Sequence, residues 1–266
     1  MSRDRCWQVD AFADRPFAGN PAAVCWLEEP AEQAWMQALA AEMNLSETAF
    51  ARRVGDDYEL RWFTPIVEVD LCGHATLATA HALWTSGIAA DETLRFHTRS
   101  GVLSCRRAED WIELDFPATP ARASSPSPAL LAGLGVEPMF VGDSRFYVLV
   151  EVESAEIVRS LKPDFVKLGQ APTLGVIVTA RSDDPRYDFI SRFFAPALGV
   201  NEDPVCGSAH CVLAPYWAEK LGKTQLSAYQ ASARGGVLRL RLGGDRVALG
   251  GQAVTVWEGE LLRGAR

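Results

Sequence analysis

The sequence predicts a mixed α+β fold built from two similar halves, and three observations lead there. The first is an internal repetition. Arg61-Trp62-Phe63-Thr64-Pro65 is followed by Asp70-Leu71-Cys72-Gly73-His74-Ala75, and Arg192-Phe193-Phe194-Ala195-Pro196 by Pro204-Val205-Cys206-Gly207-Ser208-Ala209. The offsets, 192 − 61 = 131 and 206 − 72 = 134, are close to half of the 266 residues. The second is that strand patterns dominate, with one long apolar helix candidate directly after each Cys-Gly pair. A helix apolar on most of its faces fits a strongly bent sheet wrapped around it. The third is the stretch 117–130, which holds four prolines and little periodicity near the midpoint. The expected architecture is therefore two domains related by a pseudo-twofold, each a curved, barrel-like sheet around a central helix. The domains are 1–117 and 131–266, joined by a linker over 118–130, with the final strand able to pack on the N-terminal half.

The elements follow in order. Residues 7–12 alternate as a short strand, and Ala13 to Pro21 carries the Pro, Gly and Asn of a turn. Ala22–Leu27 continues as a strand. Pro30 suits the first turn of a helix whose stripe is Trp35, Leu39 and Met43, and Asn44 ends it. Thr48–Val54 and Tyr58–Phe63 read as strands joined by Gly55-Asp56-Asp57. Ala75–Trp84 is an alanine-rich helix closed at Gly87. Leu94–Phe96, Val102–Arg106 and Trp111–Phe116 are further strands. The order then recurs: Gly142-Asp143 precedes the strand Arg145–Val152 as Gly19-Asn20 precedes Ala22–Leu27. A short polar helix reaches Leu161, Thr173–Thr179 matches Thr48–Val54, and Phe189–Phe194 leads to the second Cys-Gly. Ala209–Trp217 is the second helix. Arg99-Ser100-Gly101-Val102-Leu103 resembles Arg234-Gly235-Gly236-Val237-Leu238, with 237 − 102 = 135.

Composition narrows the function. A chain of this length buries roughly 70–75% of the surface its unfolded form exposes. The net charge of −8 argues against nucleic-acid binding, which needs a basic surface, but leaves room for a small anionic substrate held by a few local donors. No apolar run approaches the roughly 18 residues of a membrane span, and the first ten residues hold no apolar targeting core. A cytoplasmic protein with mostly free thiols is the expectation.

Cys72 and Cys206 carry the chemistry. Each precedes a glycine, Gly73 or Gly207, and a helix start whose free N–H groups can stabilise a thiolate or hold a substrate carboxylate. Facing each other across a shared cleft, the two thiols could take a proton from one side of a carbon and return it on the other. One such cysteine would read as core packing; recurrence at equivalent points favours function. Cys6, Cys25, Cys105 and Cys211 lack such a partner and read as structural. Glu47 lies in Asn44-Leu45-Ser46-Glu47-Thr48, open to reading as a solvated turn. Asp203 stands three residues before Cys206, in an Asp-Pro pair that also suits a turn. His74 and the equivalent Ser208 could donate to a substrate carboxylate, and His74 could move protons near neutral pH; helix capping is its structural alternative. Histidines at 74, 81, 97 and 210 show no metal-ligand spacing, so no metal is expected. Neither a dinucleotide nor a P-loop fingerprint is present.

These motifs, together with Phe17-Ala18-Gly19-Asn20-Pro21-Ala22-Ala23-Val24, resemble the phenazine-biosynthesis-like (PhzF-type) isomerase family over nearly the whole chain. The resemblance implies the diaminopimelate-epimerase-like fold and an isomerase that needs no cofactor. It implies Glu47 as the acid/base of a proton shift, with His74, Asp203 and Ser208 lining the site and Asn20, Gly73 and Gly207 orienting substrate. It is also consistent with a homodimer. Related amino-acid epimerases use cysteines at the Cys72 and Cys206 positions as paired bases. This chain holds both cysteines and Glu47, so the reading is an isomerase or epimerase acting on a small carboxylate through Glu47, a Cys72/Cys206 pair, or both. The alternative is a non-catalytic ligand-binding or interaction protein on the same scaffold.

Overall fold

The computed structural model of the chain describes residues 4–262. Its contacts group into two units, Met1–Asp115 with Gly250–Arg266, and Phe116–Leu249. In chain order the first ten elements are β1 (Arg5–Ala11), β2 (Asn20–Trp26), α1 (Gln33–Met43), β3 (Glu47–Val54), β4 (Asp57–Phe63), β5 (Glu68–Val69), α2 (Gly73–Thr85), β6 (Thr93–Thr98), β7 (Gly101–Ala108) and β8 (Trp111–Pro117). Then come β9 (Arg122–Ala123), α3 (Pro128–Leu134), β10 (Phe140–Asp143), β11 (Tyr147–Glu151), α4 (Ala155–Ser160), α5 (Phe165–Leu168), β12 (Gly175–Arg181), β13 (Phe189–Ala195) and β14 (Val200–Asp203). The chain closes with α6 (Gly207–Leu221), β15 (Gln225–Gln230), β16 (Gly236–Gly243), β17 (Arg246–Gly251) and β18 (Ala253–Glu260).

The repetition seen in the sequence is a repetition of strand pairing. In the first unit β1 runs antiparallel to β2, β2 parallel to β3, and β3 antiparallel to β4. Strand β4 then pairs antiparallel with β5 and parallel with β6, which turns back on β7. In the second unit β10, β11, β12, β13, β14, β15 and β16 repeat that series step for step. One sequence match falls away. Asn20 opens β2, whereas Gly142 and Asp143 lie in β10, the counterpart of β1, so those pairs are not equivalent.

Each unit folds around one helix. Ten of the thirteen residues of α2, from His74 to Trp84, are buried, and the helix packs on β1, β2, β3, β7 and β18. Its alanines let strands approach from several sides. Thr76 and Thr79 can be buried there because their hydroxyls donate to the carbonyls of Cys72 and Ala75, 2.6 and 2.7 Å away. In the second unit α6 packs on β11, β15 and β16, with Trp217 stacked on Phe189 and donating to Thr179 Oγ1 at 3.0 Å. It runs past Trp217, the end expected from sequence, to Leu221, despite Pro215 within it, and stops where Gly222 turns left-handed. Helix α1 starts at Gln33, after Pro30, and buries Met36 and Ala40 deepest, while Trp35, Leu39 and Met43 flank that cluster.

The repeated arginine has a structural reason. Arg61 makes two bonds to Glu68 on β5, at 2.7 and 2.8 Å, and Arg192 makes two to Glu202 on β14 at the same distances. A guanidinium fork matched to a carboxylate fixes orientation as well as distance. Each pair thus pins the short strand that delivers a Cys-Gly turn.

The final strand and the midpoint stretch each join a unit through partners distant in sequence. Strand β18 pairs with β1 along its length and lies in the first unit. The stretch 118–130 is tied into the second unit by backbone bonds from Ala118 to Asp245, Thr119 to Cys211 and Ser124 to Val141. Local composition carries no trace of these distant partners. Ser127 caps α3 by accepting from the Leu130 N–H at 3.2 Å. Ser127→Ala is therefore expected to cost about 1 kcal/mol of second-unit stability in urea unfolding; a linker serine would cost nothing.

Candidate active site

In the first unit the loop before β2 and the start of β3 bring a polar group to the head of α2. Gly19 has φ +63°, and a Cβ there would lie 2.1 Å from the Ala11 carbonyl oxygen, so the turn into Asn20 admits only glycine. Ala22 on β2 stands opposite Glu47 on β3. Cys72 caps α2 in extended conformation, and Gly73 and His74 open the helix.

Glu47, His74 and Cys72 meet. His74 Nε2 lies 3.3 Å from Glu47 Oε2, and His74 Nδ1 lies 3.5 Å from Cys72 Sγ. The His74 side chain is 7% exposed and that of Glu47 20%. Burial raises the Glu47 carboxyl above its ordinary range, while hydrogen bonds from Ser46 and Cys72 pull it back. Ser46 Oγ contacts His74 Nε2, Asn20 Oδ1 and the Pro21 carbonyl, each at 3.4 Å. Ser46 thus joins buried Asn20 to the cluster; the Asn-Leu-Ser-Glu-Thr motif held this residue, but its role was visible only in space.

These three groups each offer a ligand atom within 4.8 Å of the others, a set that could hold a metal. The imidazole, however, turns Nδ1 to the thiol and Nε2 to the carboxylate. A chelate needs one nitrogen directed at one ion, whereas two nitrogens serving two neighbours form a hydrogen-bonded relay. A neutral imidazole has one donor and one acceptor nitrogen, so it can pass a proton between carboxyl and thiol by exchanging tautomers.

The second unit presents Cys206 at the corresponding place. Cys206 caps α6 in extended conformation, its N–H donates to Gln230 Oε1 at 3.0 Å, and Gln230 Nε2 donates to the Asp203 carbonyl at 2.7 Å. The Asp203 carboxylate accepts from the Val205 N–H at 3.1 Å, an Asx turn that sets the Asp-Pro corner. Cys206 Sγ lies 3.2 Å from Ser208 Oγ, which lies 3.0 Å from the Tyr147 hydroxyl. Burial and then the Asp203 charge raise the Cys206 thiol, opposed by the Ser208 hydroxyl and the Ala209 N–H. The helix start therefore does not leave this sulfur as a resting thiolate: it is a buried acid. A Cβ on Gly207 would meet only Leu249 Cδ1, at 3.4 Å, so that glycine keeps the helix start open.

All six cysteines are free and buried. Cys6 and Cys25 face each other across β1 and β2 with sulfurs 3.3 Å apart, and Cys105 is sealed in the sheet. A shallow depression of about 600 Å3 on the second unit, beside Leu131, Val136 and Met139, includes none of the groups above. Among the described residues no helix is long and apolar enough to cross a membrane.

Comparison with known proteins agrees with this frame. The family model described as phenazine biosynthesis-like protein matches residues 9–259. An uncharacterized isomerase of Halalkalibacterium halodurans is 54% identical over 96% of this chain and 97% of its own length. The human phenazine biosynthesis-like domain-containing protein is 41% identical over 95% and 97%. A crystal structure of a PhzF-family phenazine biosynthesis protein from Enterococcus faecalis superposes with a TM-score of 0.95 at 45% identity, covering 98% of this chain and all of that one. With its two curved-sheet units and its repeated Cys-Gly turns, the chain belongs to the phenazine-biosynthesis-like, PhzF-type isomerase family on the diaminopimelate-epimerase-like fold.

Proposed function

We propose that the protein is an isomerase that moves a proton at an activated carbon of a small carboxylate, with Glu47 as the base. The observation that carries this reading is the Glu47–His74–Cys72 cluster at the head of α2. A carboxyl raised by burial is a stronger base once ionised, and the adjacent imidazole can take up and return the proton. The substrate carboxylate is assigned to the amides at the start of α2, where Gly73 allows close approach. Asn20 is assigned to orient substrate beside Ser46. These acid/base groups are sufficient for the proton shift without a cofactor.

A second reading, favoured by the matched extended caps at Cys72 and Cys206, gives proton transfer to the two thiols, with Cys206 as the acid. The two differ in which substitution silences exchange. The measurement is solvent-deuterium incorporation by mass spectrometry over a panel of amino-, hydroxy- and unsaturated carboxylic acids. If Glu47 is the base, Cys72→Ser and Cys206→Ser retain exchange at about a tenth or more of the parent rate while Glu47→Gln loses it. The reverse ranking assigns the thiols. No exchange with any acid by the parent protein would favour the ligand-binding alternative.

A further inference from the structure

The two units can be compared residue by residue through their registers. In the first, parallel strands β2 and β3 set Ala22 opposite Glu47, and the next residue of β3, Thr48, faces Phe63. In the second, parallel strands β11 and β12 set Tyr147 opposite Gly175, and the next residue of β12, Val176, faces Phe194. Gly175 is therefore the counterpart of Glu47 and Tyr147 the counterpart of Ala22, while Ser208 is the counterpart of His74 by 208 − 74 = 134. The acidic position is closed in the second unit. A Cβ on Gly175 would lie 2.5 Å from the Phe193 ring and 3.2 Å from that of Tyr147, so a side chain there would have to displace the Phe193 ring. The polar group arrives from the neighbouring strand instead. Tyr147 packs edge-on against Phe193, with ring centroids 4.8 Å apart, and aims its hydroxyl at Ser208.

Each unit thus gathers three polar groups at its Cys-Gly turn, a closed cluster in the first, where Cys72 also bonds Glu47 directly, and a chain in the second. Glu47, His74 and Cys72 are joined at 3.3 and 3.5 Å; Tyr147, Ser208 and Cys206 are joined at 3.0 and 3.2 Å. We propose that Tyr147 is a positioning residue of the second half-site, whose phenol donates to Ser208 Oγ so that the Ser208 hydroxyl donates to the Cys206 sulfur. When Cys206 gives its proton to a carbon, the thiolate left behind receives that bond already oriented. Without it the charge would sit in a buried site beside Asp203, which disfavours it. The groups facing Cys206 are Asp203 from β14, Tyr147 from β11, and His210 and Cys211 from α6, with Arg246 of β17 acting on Cys211. Of these, Tyr147 reaches the sulfur through Ser208.

This inference rests on Cys206 being an acid/base group, and its test needs no substrate. The thiol is titrated by iodoacetamide alkylation against pH, with peptide mass spectrometry reading each cysteine separately. Tyr147→Phe keeps the ring against Phe193 and removes only the hydroxyl. It is expected to raise the Cys206 midpoint, so that alkylation at a fixed pH below it falls about three- to tenfold. Ser208→Ala should fall at least as far, the double variant no further than Ser208→Ala, and the Cys72 profile should stay in place. An unchanged Cys206 profile in Tyr147→Phe overturns the proposal, as does a double variant whose loss is the product of the two single losses. Exchange assays that fail while this titration shifts would instead remove the isomerase reading and leave the hydroxyl chain intact.

Discussion

Glu47→Gln is expected to lower the rate of substrate C–H exchange by about 10²–10⁴-fold, the usual worth of a positioned general base. The amide keeps the volume of the side chain and can still bond to Ser46, so the loss reports the basic oxygen rather than packing. In the parent protein only the ionised carboxylate can accept the proton. Activity should fall as pH drops through the Glu47 pKa, with a midpoint above the ordinary 4.5 because burial is the leading influence on the group. That acid limb should be missing from whatever exchange the variant retains. The same burial predicts an opposite effect on stability. A carboxyl whose folded pKa exceeds its unfolded one binds more protons folded than unfolded between the two values. Stability therefore falls as pH rises from the unfolded value through the folded one, and the full penalty persists above it. Glu47→Gln removes that penalty, so the variant should melt higher than the parent at neutral pH. A variant that exchanges at the parent rate would move the base elsewhere.

Acid should unfold the second unit through His210. This ring is wholly buried, stacks on Phe189, and donates from Nδ1 to the Cys206 carbonyl at 2.8 Å. Its Nε2 meets no partner among the described residues. Burial lowers its pKa to about 4, against 6.5 for a free imidazole. Between those values the unfolded chain holds a proton that the folded chain refuses, so stability is lost as pH falls from 6.5 towards 4. A gap of 6.5 − 4 = 2.5 units corresponds to about 3 kcal/mol over that window. His81, lowered to about 4 in the first unit by burial and the Arg107 charge, imposes the same window there. Urea midpoints at pH 7 and pH 4.5 measure the loss. His210→Asn retains a donor near Nδ1 and cannot ionise, so its second-unit midpoint should hardly move between those pH values. An equally steep loss in that variant would place the acid sensitivity elsewhere.

What could be read from the sequence was local and repeated. Cys72-Gly73 and Cys206-Gly207 announce a cap and a helix start, and Arg61 and Arg192 recur because each grips a carboxylate a few residues on. Glu47 and His74 were visible as motif residues, although only the folding of β3 against α2 shows that they touch. Tyr147 carried no signal, since its reach to Ser208 depends on the glycine opposite and on Phe193 behind it. The stretch 118–130 looked like a spacer because its partners, Asp245, Cys211 and Val141, are remote or unpatterned. Direction of titration was also hidden: a helix start suggested a thiolate at Cys206, and enclosure of the sulfur decided otherwise.

The pairing of β1 with β18 sets an order of events during synthesis. Trp7 donates to Glu258 across 251 positions of the chain, so the opening strand emerges from the ribosome long before its outer neighbour exists. Until then one margin of the N-terminal lobe stays unzipped, while every strand of the β10–β16 series is already available to the lobe that follows. The sheet of the first lobe is therefore closed along this margin only when β18 is added.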